Sequence, residues 1–274
     1  MLDTCFLIAT IIATLSIIAI LFSVLIFVIN NGLPVLTQQF STTKITPPHE
    51  LPLLEMVVST VFLTLTTLIL VVPFAAAAAI YLHEFAKNNL LANLTRFSIQ
   101  ILASIPSIVY GLFGMLIFVR LFEFGMSIIA GAGTLAVMLI PIIMTQTENA
   151  LQQVPAGYRE GSASLGATHF ETLKNVILPS ATPGIFVAII LSIGRIVSES
   201  AALIFTIGTF VQLPVRHQTG FLSIFETGTT LTVRALIEFK EYGNLEIAAA
   251  IGLITICVTI GLNLLGKFVI WVVR

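Results

Sequence analysis

Forty consecutive residues, Thr4 to Thr43, separate Asp3 from Lys44 without one Asp, Glu, Lys, Arg or His among them. No water-facing fold tolerates such a run. A bilayer core about 30 Å thick takes roughly 20 apolar residues as a helix, and residues 5–29 supply one such stretch. Further apolar stretches follow at 56–82, 97–119, 126–147, 183–213 and 247–265. In lipid every backbone N–H and C=O must be satisfied within the spanning structure, which leaves helices or closed barrels. These stretches lack the two-residue alternation of barrel strands. The sequence therefore predicts an all-α membrane protein, a single transmembrane domain over 1–274 with six helices.

Composition agrees. Apolar residues make up 57% and charged residues 9% of the chain, with mean hydropathy +1.08, against about 45–50% and about 25% in soluble domains. Twelve basic and thirteen acidic side chains nearly cancel, so no basic field recruits nucleic acid. Intrinsic disorder is excluded because the apolar fraction is too high. Cys5 and Cys257 sit in apolar runs near opposite ends, without disulfide or zinc-site spacing. Met1-Leu2-Asp3 carries no basic residue, and the uncharged stretch far exceeds a signal-peptide core; it reads as a retained anchor. With the N-terminus inside, Lys87, Arg96, Arg159, Lys174, Lys267 and Arg274 face the cytoplasm, against Lys44, Arg120, Arg216, Arg234 and Lys240 outside. That margin favours cytoplasmic termini only slightly.

The 149–180 loop carries much of the mid-chain charge. Pro155 suits the first turn of a helix. Gly166 interrupts it, and Thr168 with Glu171 forms a capping-box pattern that restarts a helix. Phe170, Leu173 and Ile177 give this second helix one apolar face, and Pro179 is expected to stop it. From the pattern alone, a solvated loop on the membrane surface remains an alternative.

The same loop resembles that of ABC importer permeases, whose pattern is Glu-Ala-Ala, three residues, Gly, nine residues, then Ile-x-Leu-Pro. Glu160 and Gly166 hold the first spacing, and Val176, Leu178 and Pro179 the second, with Gly161 and Ser162 in place of the alanines. Ala79 to Ala86, Ile105 to Gly114 and Gly194 to Leu203 resemble the phosphate-specific permeases, and more the PstA-like than the PstC-like branch. The resemblance implies a type I importer fold and a cytoplasmic loop. It also implies that the short helix seats in a groove of a separate ATPase subunit through Arg159, Glu160, Gly166, Phe170, Leu178 and Pro179. The implied partners are a PstC-like second permease, two copies of the ATPase subunit and an extracytoplasmic phosphate-binding protein. The implied location is a prokaryotic cytoplasmic membrane.

Arg195 and Glu199 fall inside the expected fifth span, where an arginine costs about 2.5–3.5 kcal/mol. One helical turn apart, they can pair, and Ser192, Ser198, Ala202 and Thr206 extend the same face as a small or polar stripe. One reading is an ion pair that only orients its helix. The other is a translocation pathway, which the resemblance places here. Arg195 offers planar donors to an oxyanion in transit, and Glu199 holds the guanidinium and weakens its grip. A single pair does not encode the anion, so sulfate, molybdate or phosphonate remain open, as does an ATP-independent secondary transporter.

Two other patterns are set aside. Gly261 to Lys267 matches a phosphate-binding loop until Phe268 replaces the required hydroxyl, at the end of an apolar helix. ATP hydrolysis is therefore expected from another chain, and no enzyme activity here. His49, His83, His169 and His217 lack metal-like pairing, and no metal or cofactor is expected. In the 214–244 segment, Arg234, Glu238 and Glu241 have helical spacing with Leu231, Ala235 and Ile237 apolar. A short outer helix is predicted, where the resemblance would dock the binding protein.

Overall fold

A computed structural model describes residues 2–41, 52–86, 89–209, 214 and 223–273. Lys44, His49, Lys87, Arg216, His217, Arg274 and the 210–213 end of the expected fifth span lie outside them. Among the described residues there are helices and no strands. In chain order they are α1 (Leu2–Ser41), α2 (Leu53–Glu84), α3 (Leu90–Ser104), α4 (Ser107–Gly114), α5 (Ile128–Gln152), α6 (Ala156–Ser164), α7 (His169–Thr172), α8 (Leu178–Ser198), α9 (Leu231–Lys240) and α10 (Leu245–Val273). Wider π-helical turns extend α4 over Met115–Leu121 and join α7 to α8 over Leu173–Ile177. Among the described residues five helices are long and apolar enough to cross a membrane, or six if the bent pair of α3 and α4 is one span.

The core forms where α2 and α5 lie side by side. Leu63, Val71, Ala75 and Ala79 of α2 meet Leu135, Leu139 and Ile143 of α5, joined by Ile196, Leu203 and Ile207. Several hydroxyls enter this interior by finding a backbone acceptor one turn earlier: Thr60, Thr64 and Thr67 donate to the carbonyls of Met56, Thr60 and Leu63. Such local bonds satisfy these three donors in an apolar medium. Close approach elsewhere depends on missing side chains. A Cβ on Gly111 would stand 2.8 Å from the Ala202 backbone, and one on Gly32 of α1 equally close to Ala249 of α10. Small residues at such crossings are the usual device of helices packing in lipid.

Two expected spans differ in detail. The stretch at 97–119 is broken: α3 and the α4 rod meet at 99°. Pro106 forces extended backbone on itself and on Ile105 (ψ 141° and 130°), as a proline does to its predecessor. The eight residues of α4 and the seven that extend it rise only about 22 Å, so α3 supplies the rest obliquely. Arg96 of α3 turns inward, donating to the Leu82 carbonyl at 3.0 Å and approaching Glu148 of α5 at 3.4 Å.

The fifth helix is shifted towards the N-terminus relative to 183–213. Pro179 does not stop the chain; it is the second residue of α8. A proline in a first turn needs no N–H, and the wide π-helical turn before it absorbs the missing bond. Pro183 and Pro141 likewise lie within continuous helices. At its other end α8 stops at Ser198, and the chain continues through turns and a short 3₁₀ segment, Leu203–Phe205. Ala202 and Thr206 therefore do not prolong the α8 face. Finally, Gly261 to Phe268 lies within α10, not in a loop.

Candidate functional site

Two regions hold the candidate residues. The first is the elbow formed by α6 and α7. Gly166 adopts φ +83°, its N–H reaches the Ala163 carbonyl at 2.9 Å, and the Ala167 N–H reaches that of Ser162 at 3.3 Å. These paired bonds around a left-handed glycine are a Schellman ending. Thr168 then opens α7 with a complete capping box to Glu171. The hydroxyls of Ser162 and Thr172 meet at 2.8 Å and brace the two arms.

The elbow presents an apolar tip. Leu165 is 90% exposed, and Tyr158 and Phe170 are also exposed, as are Glu160 and Gly166. Leu178 instead packs at the base, against the cluster of Leu151, Leu173 and Ile177, while Pro179 stays exposed. Arg159 is turned away from the tip: its Nη1 donates to Glu84 Oε2 at 2.6 Å. Glu84 ends α2 and is buried. Its involvement was not legible in the sequence, because it lies 75 residues from Arg159. Beside the elbow, an open cavity of about 400 Å³ is lined by Gln153, Tyr158, Ser180 and Gly184 among others. It has no charged lining residue, so it is not an anion site by itself.

The second region is the end of α8. Arg195 lies in the last turn and Glu199 caps the helix, with Arg195 Nη2 3.5 Å from Glu199 Oε2. The two carry different burial: the Arg195 side chain is 48% exposed and that of Glu199 only 6%. Glu199 is held from two further directions. Its Oε1 accepts the Ala202 N–H at 3.3 Å, and its carbonyl accepts the Thr232 hydroxyl of α9 at 2.9 Å. The α9 contact is a link that hydropathy could not reveal.

Of the two serines expected to line this face, Ser198 is exposed and donates to the Arg195 carbonyl at 3.1 Å. Ser192 is fully buried and donates to Ala188, so it faces the interior and not the exposed Arg195 line. That line continues down α8 as Leu191 and Val187, each about half exposed. In α9 the predicted helix is present, with Arg234 paired to Glu238 and Asn244 donating to the same carboxylate at 3.2 Å. Its apolar residues Leu231, Val233 and Ile237 are buried against α2, α5 and α10.

Comparison with known proteins agrees with this architecture. The chain is 35% identical over 222 residues to the probable ABC transporter permease protein YqgI of Bacillus subtilis, covering 78% of this chain and 76% of that protein. It is 37% identical over 201 residues to the phosphate transport system permease protein PstA of Pasteurella multocida, covering 70% and 71%. Among solved structures, a chain of a bacterial alginate ABC transporter superposes with TM-score 0.69 at 13% identity, over 95% of this chain and 92% of that one. The likeness establishes the type I importer permease fold. Residues 71–271 match the family model itself, and the chain belongs to the family of binding-protein-dependent transport system inner membrane components.

Proposed function

We propose that this chain is one of two permease subunits in an ATP-driven importer of inorganic phosphate, working with a PstC-like partner, two ATPase subunits and an extracytoplasmic binding protein. Both termini face the cytoplasm of a prokaryotic cell, the elbow seats on an ATPase subunit, and hydrolysis belongs to that subunit. The observation that carries the reading is Arg195, half exposed at the end of an apolar helix and held by a buried Glu199. A guanidinium on an apolar, membrane-crossing helix does not face lipid without cost. The α8 line that carries it therefore turns towards a water-filled or protein-lined path shared with the second permease. There its planar donors suit a tetrahedral oxyanion, and the neighbouring carboxylate keeps binding weak enough for release.

The exposed apolar tip at Leu165 and Phe170 supports the ATPase contact, and the PstA relative supports phosphate as cargo. The test is reconstitution of the complete complex in vesicles with labelled phosphate. ATP-dependent uptake is expected, together with copurification of the ATPase subunit that is lost on Gly166→Pro. Uptake of sulfate, molybdate or a phosphonate in preference to phosphate would reassign the cargo. Uptake independent of ATP would instead indicate a secondary transporter.

A further inference from the structure

Glu84 of α2 meets both α6 and α7, which the sequence places far downstream. It is the last residue of α2, and its side chain is fully shielded from solvent. Arg159 of α6 reaches its Oε2 at 2.6 Å, and His169, the first residue of α7, brings Nε2 to 3.9 Å from the same oxygen. The His169 ring also meets that of Phe85 edge-on, with centroids 5.1 Å apart. His83 Nε2 lies 3.7 Å from the other carboxylate oxygen. Both arms of the elbow, on either side of Gly166, thus converge on one carboxylate of a different helix.

A buried ion pair of this kind does not open cheaply, because separating its members strands a charge away from water. α2 is also a continuous helix of 32 residues, and Thr60 lies about 36 Å from Glu84 along it. There the Thr60 hydroxyl accepts the N–H of Leu231, the first residue of α9, at 3.1 Å. The next residue of α9, Thr232, donates to the carbonyl of Glu199. One helix is therefore fastened at one end to the elbow and at the other to the support of the Arg195–Glu199 pair.

We propose that Glu84 is a positioning residue: the elbow grips α2 through it, and α2 delivers elbow movement to α9 and to Glu199. The proposal rests on reading the elbow as the ATPase contact. A structural role alone would lower assembly, whereas a transmitting role changes how much solute moves per nucleotide spent. The readout is thus the ratio of phosphate taken up to ATP hydrolysed, in vesicles carrying the whole complex.

Glu84→Gln is expected to copurify with the ATPase subunit and to hydrolyse ATP, while the ratio falls by about tenfold, the size of an ordinary coupling free energy. The exchanged pair, Glu84→Arg with Arg159→Glu, is expected to restore the ratio that Glu84→Arg alone loses. An unchanged ratio in Glu84→Gln, including one where hydrolysis and uptake fall in proportion, overturns the proposal. If Glu84→Gln fails to assemble, the exchanged pair decides: coupled transport supports transmission, and failure to assemble or to couple overturns it. A wild-type chain that recovers no ATPase subunit overturns the elbow reading itself, a result separate from that of any variant.

Discussion

Arg195 and Glu199 share one ion pair but have different freedoms. Glu199 is buried and held through its carboxylate, by the Ala202 N–H, and through its carbonyl, by Thr232. Arg195 touches it at 3.5 Å and keeps much of its surface exposed. The guanidinium therefore retains donors for a second anion while its position is set from behind. Lysine in its place would keep the charge and lose the planar fork. Arg195→Lys is expected to insert and assemble normally while phosphate uptake per assembled complex falls by about a hundredfold, in line with about 1.5–3 kcal/mol for a charged hydrogen bond. Normal uptake by that variant would remove Arg195 from the pathway and leave the pair a helix-orienting device.

At the scale of elements, what the sequence disclosed depended on how local each cause is. The Thr168–Glu171 capping box and the Gly166 interruption were readable because both act within a few residues. The apolar runs were readable because hydropathy needs no partner. Pro179 was not: expected to stop its helix, it stands second in α8, and Pro141 and Pro183 pass inside helices while Pro106 breaks its span. Neighbouring helices decide among these outcomes, and a single run does not encode its neighbours.

The end of α8 at Ser198 follows from the same cause, since the turn beyond it packs Ala202 against Gly111 of α4. Gly111→Val would force that turn, and Glu199 with it, away from α4. It is expected to lower the Tm of the purified complex, with about 1–3 kcal/mol lost to overpacking. Gly161→Ala, whose Cβ meets open space within α6, is expected to raise it slightly through helix propensity, by up to about 1 kcal/mol. Equal Tm values for both variants would discount the close approach at Gly111.

In the proposed complex the whole molecule is one part of several. Large apolar side chains are exposed along α1, α3, α8 and the elbow, and different media must cover them. Lipid suits the charge-free flanks, but the elbow tip lies beyond a paired Arg159 and beside Glu160, where lipid is unsuited and a protein groove fits. Leu165→Asp is accordingly expected to reduce recovery of the ATPase subunit by at least about tenfold, since an apolar side chain of this size gains about 1.5–3 kcal/mol on burial. Undiminished recovery would place the contact elsewhere on the loop.

The long first helix bears on how such a molecule is made. α1 is exposed over its length from Phe6 to Phe27 and meets α10 through its later part, including Val28 and Gly32. A helix apolar on every side is stable in a bilayer without tertiary partners. During synthesis, α1 can therefore leave the ribosome and settle in the bilayer well before α10 exists. Its docking at Gly32 becomes a late event, so a defect there would leave the chain inserted but unfinished.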